Sequence, residues 1–268
     1  GKSTIMKILT GFLRPVKGNV WLNEEDLWNN LSSAQTEIGY LPENNILYSE
    51  MTVADYLVYT GVLHGLDEKL ILPLLKVALE KTNLESKASQ TIGTLSKGFR
   101  QRVGVAQAIL HKPKVLILDE PTNGLDPTQV QQMRGTIRNL SDNNTAVILS
   151  THVLKEVESI CSRVLVIKEG RKVMDSKLTE LSGGQKLLVT VDQNLEGKAE
   201  VSNRLSEITS IDFLEKNSSG YRYTLSPKQE GPIEFIGPQV ASLIVGAGVG
   251  LLELQREKRD LETVFNEI

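Results

Sequence analysis

The stretch Val115-Leu116-Ile117-Leu118 runs without a polar residue into Asp119-Glu120-Pro121. No other part of the chain restricts the fold as much. A strand covered on one face alternates apolar with polar residues, whereas a continuous apolar run fits a strand covered on both faces, as in a parallel sheet. The residues after it have the same grammar: a helical pattern from Pro127 to Leu140, an apolar strand from Ala146 to Leu149, and a helix from Leu154 to Cys161. Strands and helices in alternation specify an α/β fold with crossover helices. The two carboxylates then stand at the carboxyl edge of the sheet, where open α/β folds bind their ligands.

The rest of the chain falls into place around this core. Helical spacing is expected from Lys2 to Leu9, stopping at Gly11, and a short strand from Gly18 to Leu22. Two helical stretches are expected between Met51 and Ser86, broken near Gly65 and Pro73, and a long helix from Gly98 to Leu110, ending before Pro113. Arg163–Ile167 and Lys172–Met174, joined by Glu169-Gly170, read as a hairpin. Beyond Leu181 the pattern changes to strand at Lys186–Val191, helix at Ala199–Ile208, strands at Ile211–Lys216 and Tyr221–Leu225, helix at Glu234–Ile244, and a last charged helix from Asp260. The expected division is therefore a first domain over residues 1–182 and a small α+β domain over 183–268.

Composition narrows the function. A net charge of -3 over 268 residues argues against a general binder of nucleic acid or acidic membrane. With one cysteine, Cys161, no internal disulfide can form, and a reducing compartment is expected. The longest apolar run, Val240 to Leu252, is shorter than the roughly 20 residues of a membrane-spanning helix. No secretory leader is expected from the opening Gly1-Lys2-Ser3-Thr4.

Two stretches compete for one role. Residues 181–185 read Leu-Ser-Gly-Gly-Gln, and residues 95–102 read Leu-Ser-Lys-Gly-Phe-Arg-Gln-Arg. A serine and backbone amides hold phosphate only at a helix amino end, where donors are unpaired and the macrodipole favours an anion. The stretch at 181 comes after a helical turn, with Gly183 as its expected C-terminal cap, and runs into the β-rich Lys186–Val191. The stretch at 95 opens a helix at once. Ser96 and Gly98 are therefore the expected phosphate-binding pair, and 181–185 is a linker.

With those motifs in order, the chain resembles the nucleotide-binding subunits of ABC transporters. Gly1-Lys2-Ser3-Thr4 resembles the end of the P-loop, G-x-x-x-x-G-K-[ST], in which the lysine reaches the β/γ-phosphates and the Ser3 hydroxyl ligates Mg²⁺. Ile38-Gly39-Tyr40-Leu41-Pro42-Glu43 resembles the Q-loop, with Glu43 where glutamine is usual, which marks a subtype. In the signature Lys97 replaces a glycine and Phe99 a glutamine; Lys97 either adds a phosphate contact or is solvated. The 115–120 stretch resembles Walker B, with Asp119 holding Mg²⁺ through water and Glu120 as general base. Pro121 to Asp126 resembles the D-loop, which crosses the dimer interface, and Leu149-Ser150-Thr151-His152 the switch loop whose histidine contacts the γ-phosphate; the resemblance implies Glu43 and Asp126 as ATP-binding residues beside Gly1, Lys2, Ser3, Thr4, Ser96 and Gly98. His64 and His111 lack such context and are expected to be structural.

The resemblance implies a P-loop NTPase cassette, a parallel-sheet core with a helical subdomain, followed by the small C-terminal α+β domain. It implies ATP and Mg²⁺ as ligands, a homodimer or a pair with a related cassette, and an integral-membrane permease holding the chain at the cytoplasmic face of the membrane. No nucleic-acid partner is expected. IGYLPENNILY, LSKGFRQRVGVAQAIL and the terminal LETVFNEI are closest to the gliding-motility type within the ABC-2 exporter group. Because the P-loop pattern is met here from its second glycine, its earlier glycines, the preceding strand and an adenine-stacking aromatic are expected upstream; without them poor ATP binding is expected. The rival reading is a soluble ABC ATPase acting on ribosomes or in DNA repair, but those carry tandem cassettes or a long coiled coil. A non-catalytic binding module conflicts with Asp119, Glu120 and His152 occurring together.

Overall fold

Helix α1 (Lys2–Leu9) starts directly after Gly1 and ends where Thr10 bonds back to Met6 O and Gly11 takes a left-handed φ of 77°. It opens the first of two units, Gly1–Asp175 and Ser176–Ile268. The structure is a computed structural model that describes residues 1–141, 145–182, 186–195, 203–205, 209–217, 220–227, 233–256, 261–262 and 265.

In the first unit, β1 (Trp21–Leu22) and β2 (Glu25–Asp26) form a short antiparallel pair turned at Asn23 and Glu24, both at positive φ. Helix α2 (Leu31–Thr36), capped by Asn30, leads into β3 (Ile38–Leu41). Helix α3 (Val53–Leu63) is capped by Thr52, whose hydroxyl accepts from Asp55 N at 3.1 Å. Helix α4 (Glu68–Thr82) begins at the Asp67 cap and stops at left-handed Asn83. Pro73 lies inside this helix. The expected break does not occur, because Ile71, Leu75, Ala78 and Leu79 bury one continuous stripe that outweighs one lost backbone hydrogen bond.

Helix α5 (Lys97–Ile109) precedes β4 (Val115–Asp119), then come α6 (Pro127–Ser141), β5 (Ala146–Ser150) and α7 (Leu154–Ile160). Strands β6 (Arg163–Lys168) and β7 (Arg171–Lys177) make the expected hairpin, turning at Glu169 and Gly170, both at positive φ.

The parallel sheet has the order β3-β4-β5. Its middle strand is buried on both faces: Leu116 and Leu118 pack with Val105, Met133 and Ile137 of α5 and α6, while Ile117 packs with Met6 of α1. A separate cluster joins α3, α4 and α5 through Leu57, Leu79, Val103 and Leu110. Between α5 and the core, His111 hydrogen-bonds Ile38 O at 3.1 Å and stacks on His64 at 4.5 Å. Burial, with a smaller effect of His64, pushes the His111 imidazole down to about 4.

The second unit contains α8 (Leu178–Ser182), β8 (Leu187–Val191), β9 (Thr209–Asn217), β10 (Gly220–Pro227), α9 (Ile233–Gly246) and β11 (Leu251–Arg256). Its antiparallel sheet has the order β11-β8-β10-β9, and Val240 and Ile244 of α9 pack with Val189, Tyr223 and Leu225 from one face. Strand β11 was not anticipated from the sequence. The helix expected over 199–208 falls within the described residues only at 203–205. The last helix, from Asp260, lies mostly outside them.

One close approach fixes β3 against α5. A Cβ at Gly39 would stand 2.1 Å from Ala108 O and 2.9 Å from Pro113 Cγ, whereas one at Gly135, exposed in α6, would meet nothing within 4 Å. Gly39→Ala is expected to destabilise the protein by about 1–3 kcal/mol. Gly135→Ala is expected to stabilise it by about 1 kcal/mol, since glycine is the poorer helix former. Urea unfolding of the two variants checks both signs.

Candidate functional site

The carboxyl ends of β4 and β5 bring four side chains to one edge. Pairing in register sets Asp119 beside Ser150, whose hydroxyl donates to Asp119 Oδ1. One residue on, Glu120 takes a left-handed φ of 49° and its amide bonds Ser150 O at 3.0 Å. For a glutamate that conformation is uncommon and costs energy. It sends the chain out of the sheet and leaves the Glu120 side chain 11% exposed at the edge.

Both oxygens of that carboxylate are engaged. Lys2 Nζ lies 3.1 Å from Oε1 and also donates to Thr151 O at 2.8 Å. His152 Nδ1 lies 2.9 Å from Oε2. Lys2 is the first residue of α1, whose opening amides have no partner within the helix. Ser3 and Thr4, on the same turn, are exposed, as is His152. The group unites a cation at a helix amino end, a carboxylate in a partly buried position and an imidazole open to solvent. Such an arrangement can bind an anion and pass a proton beside it.

Glu43 comes after β3 on an exposed loop. It acts with Asp119 on Tyr40, whose phenol is raised above its ordinary value first by burial and then by the Asp119 and Glu43 charges. Asp119 itself is buried. Asp126 accepts from Gln129 N at 2.9 Å and caps α6, with Pro127 in the first helical position.

Ser96 is exposed and is the cap of α5, its Oγ accepting from Phe99 N at 3.4 Å. Gly98 is buried because Gln129 occupies the space a side chain would need: a Cβ there would stand 2.8 Å from Gln129 Cδ. Lys97 lies over Gly124, where a Cβ would meet its Nζ at 2.1 Å. The amino end of α5 thus contacts the 124–129 segment of its own chain. Among the described residues, no hydrogen bond or ion pair joins Ser96 or Gly98 to Lys2, Glu120 or His152. At the other stretch, Leu181 and Ser182 are the last two residues of α8, at its carboxyl end. Gly183, expected as the cap there, lies with Gly184 and Gln185 outside the described residues.

Two neighbours of the site were not singled out in the sequence. Tyr40 in β3 feels the charges of Asp119 and Glu43, and Glu156, buried in α7, accepts from Thr122 and Thr151. Glu156 stands four residues after His152 in a helix with no charged partner at helical spacing that marks it out, so only the tertiary fold reveals its burial.

A family model described as ABC transporter matches residues 1–123. YxlF of Bacillus subtilis (strain 168), an uncharacterized ABC transporter ATP-binding protein, is 34% identical over 272 residues, an alignment covering 100% of this chain and 86% of that protein. The bacitracin transport ATP-binding protein BcrA of Bacillus licheniformis is 28% identical over 271 residues, covering 99% of this chain and 83% of its own length. Among solved structures, cbiO1 from Clostridium perfringens, part of the ABC transporter complex cbiONQ, superposes with a TM-score of 0.62 at 27% identity, covering 77% of this chain and 79% of that one.

Proposed function

This chain belongs to the ABC transporter ATP-binding proteins, and on that premise we propose that it hydrolyses ATP between two cassettes to drive a separate membrane permease. The observation that carries this reading is the convergence of Lys2 and His152 on the two oxygens of Glu120. Lys2 and the amides of Gly1 to Thr4 take the β/γ-phosphates in this reading. His152, exposed beside Glu120, contacts the γ-phosphate. Glu120, released from Lys2 as phosphate takes that cation, accepts the proton of the attacking water.

Mg²⁺, when bound, neutralises charge developing on the phosphates. It commonly takes one or two protein oxygens beside phosphate and water, a demand that Asp119 and the exposed Ser3 hydroxyl suffice to meet. Glu43, on the exposed loop after β3, takes the Q-loop position in this reading. Ser96 and Gly98 complete the site of the opposing cassette, and the exposed Ser96 at the amino end of α5 supports that geometry. The partner is a second copy of this chain or a related cassette.

The permease reading rests on relatives whose names assign them to transporters, BcrA to bacitracin transport among them. Among the described residues no helix is long and apolar enough to cross a membrane, and this reading gives the spanning segments to the permease. We assign the chain to the ABC-2 exporter group, of the gliding-motility type, on IGYLPENNILY and LSKGFRQRVGVAQAIL, held by that permease at the cytoplasmic face.

Three outcomes are expected. Glu120→Gln should keep ATP binding and lower turnover by roughly 10²- to 10⁴-fold in a phosphate-release assay; an unchanged rate would remove Glu120 as the base. Ser96→Arg should abolish turnover while Ser182→Arg preserves it, and the reverse result would move the signature to residues 181–185. Affinity purification of Glu120→Gln from detergent-solubilised native cells with ATP should bring down a polytopic membrane protein in near-equal amount. Ribosomal or DNA-repair proteins in its place would refute transport and leave the ATPase intact.

A further inference from the structure

Glu156 is a carboxylate 3% exposed, in a helix whose other faces are only partly covered, and among the described residues it pairs with no cation. A buried carboxylate is costly unless hydrogen bonds hold it. Here one oxygen, Oε2, accepts from two hydroxyls: Thr122 Oγ1 at 2.7 Å and Thr151 Oγ1 at 3.1 Å. Thr122 lies two residues after Glu120, on the loop leaving β4. Thr151 immediately precedes His152, on the loop leaving β5. The Thr151 hydroxyl in turn accepts from Val153 N at 3.1 Å, and the Thr151 carbonyl accepts from Lys2.

A single oxygen therefore joins both loops, and the residues on either side of His152 are tied to it. We propose that Glu156 is a positioning residue of the ATPase site: it locks the loop bearing Glu120 and the loop bearing His152 into one unit, so that base and imidazole are presented together. This role rests on the ATPase reading above. It does not require Glu156 to touch ATP, and its burial beneath the two loops forbids that.

The pattern of hydrogen bonds separates this role from filling space. Both hydroxyls donate to Glu156, so the amide oxygen of Glu156→Gln can replace the carboxylate as acceptor, whereas Glu156→Ala leaves the buried Thr122 donor and the half-buried Thr151 donor without that partner. Thr122→Val and Thr151→Val each remove one tie at nearly constant volume. Small displacements at a reacting centre cost far more rate than binding.

The test uses the complete protein in two measurements. In steady-state ATP hydrolysis, Glu156→Ala is expected to lower kcat by about 10- to 100-fold with KM nearly unchanged, and Glu156→Gln to recover most of it. Thr122→Val and Thr151→Val should each lower kcat, and the double variant should be no worse than Glu156→Ala. The second measurement does not depend on turnover. The chain has three histidines, so the His152 ring resonance can be assigned by substitution and tracked at fixed pH. It should move in Glu156→Ala and Thr151→Val and hold its place in Glu156→Gln. A wild-type kcat and an unmoved His152 resonance in Glu156→Ala would overturn the proposal, as would a loss of activity that glutamine fails to rescue. Were Glu120→Gln as active as the parent, the assignment of the base would fall, while the His152 resonance would still decide whether Glu156 holds the switch loop.

Discussion

Burial of β4 on both faces is the constraint on which the site depends. Leu116 and Leu118 are committed to α5 and α6, and Ile117 to α1. Such a strand has no freedom to slip in register, since a shift of one residue would exchange its two faces. Pairing on either side by β3 and β5 fixes it along its length as well. Its end is therefore a fixed point, and the first polar residues after the run, Asp119 and Glu120, emerge there. The sheet edge is where helix amino ends also gather in a parallel α/β arrangement, so a cation from α1 meets carboxylates from β4 without any further device.

Position alone does not make the carboxylates different, yet their surroundings do. Asp119 stays within the strand and is held by the neighbouring Ser150 hydroxyl. Glu120 turns out of the sheet through a left-handed backbone and reaches Lys2 and His152. The strained residue is the one that meets both of these side chains. Strain of this kind persists only where the surroundings over-determine it, and here the Glu120 amide on Ser150 O, the Asn123 amide on Glu120 O and the two side-chain partners all do so.

Much of this was legible in the chain because it depends on local order. The apolar run, the stops at Gly11 and before Pro113, and the start of a helix at Ser96 each act within a few residues, and Ser96 stands as the cap of α5. Strand β11 escaped because a bulge distorts its period. Its register shifts between Leu251 and Glu253, and the residues packed on the core are Leu251 and Leu254, three apart, which imitates helical spacing. Glu156 escaped for another reason. Its partners are 34 and 5 residues away in sequence, and only the crossing of two loops above α7 turns an ordinary helical glutamate into a buried acceptor. Lys97, left open between solvent and phosphate, lies over Gly124 of its own chain.

The two stretches that share the letters Leu-Ser show why a motif is a statement about polarity before it is one about composition. At 95–98 the serine caps a helix of 13 residues, at the positive end of the macrodipole. At 181–182 the same two residues close a helix of 5 residues, where carbonyls are the unpaired groups. A phosphate placed there would meet oxygen atoms of its own sign. The stretch with the fuller match to the family letters therefore stands at the wrong end of its helix. The stretch with two departures, Lys97 and Phe99, stands at the right one, and its Gly98 is closed against Gln129 at a point where no side chain fits. What an anion recognises is the direction of the unpaired amides, and in this chain that direction is set by which residue begins the helix.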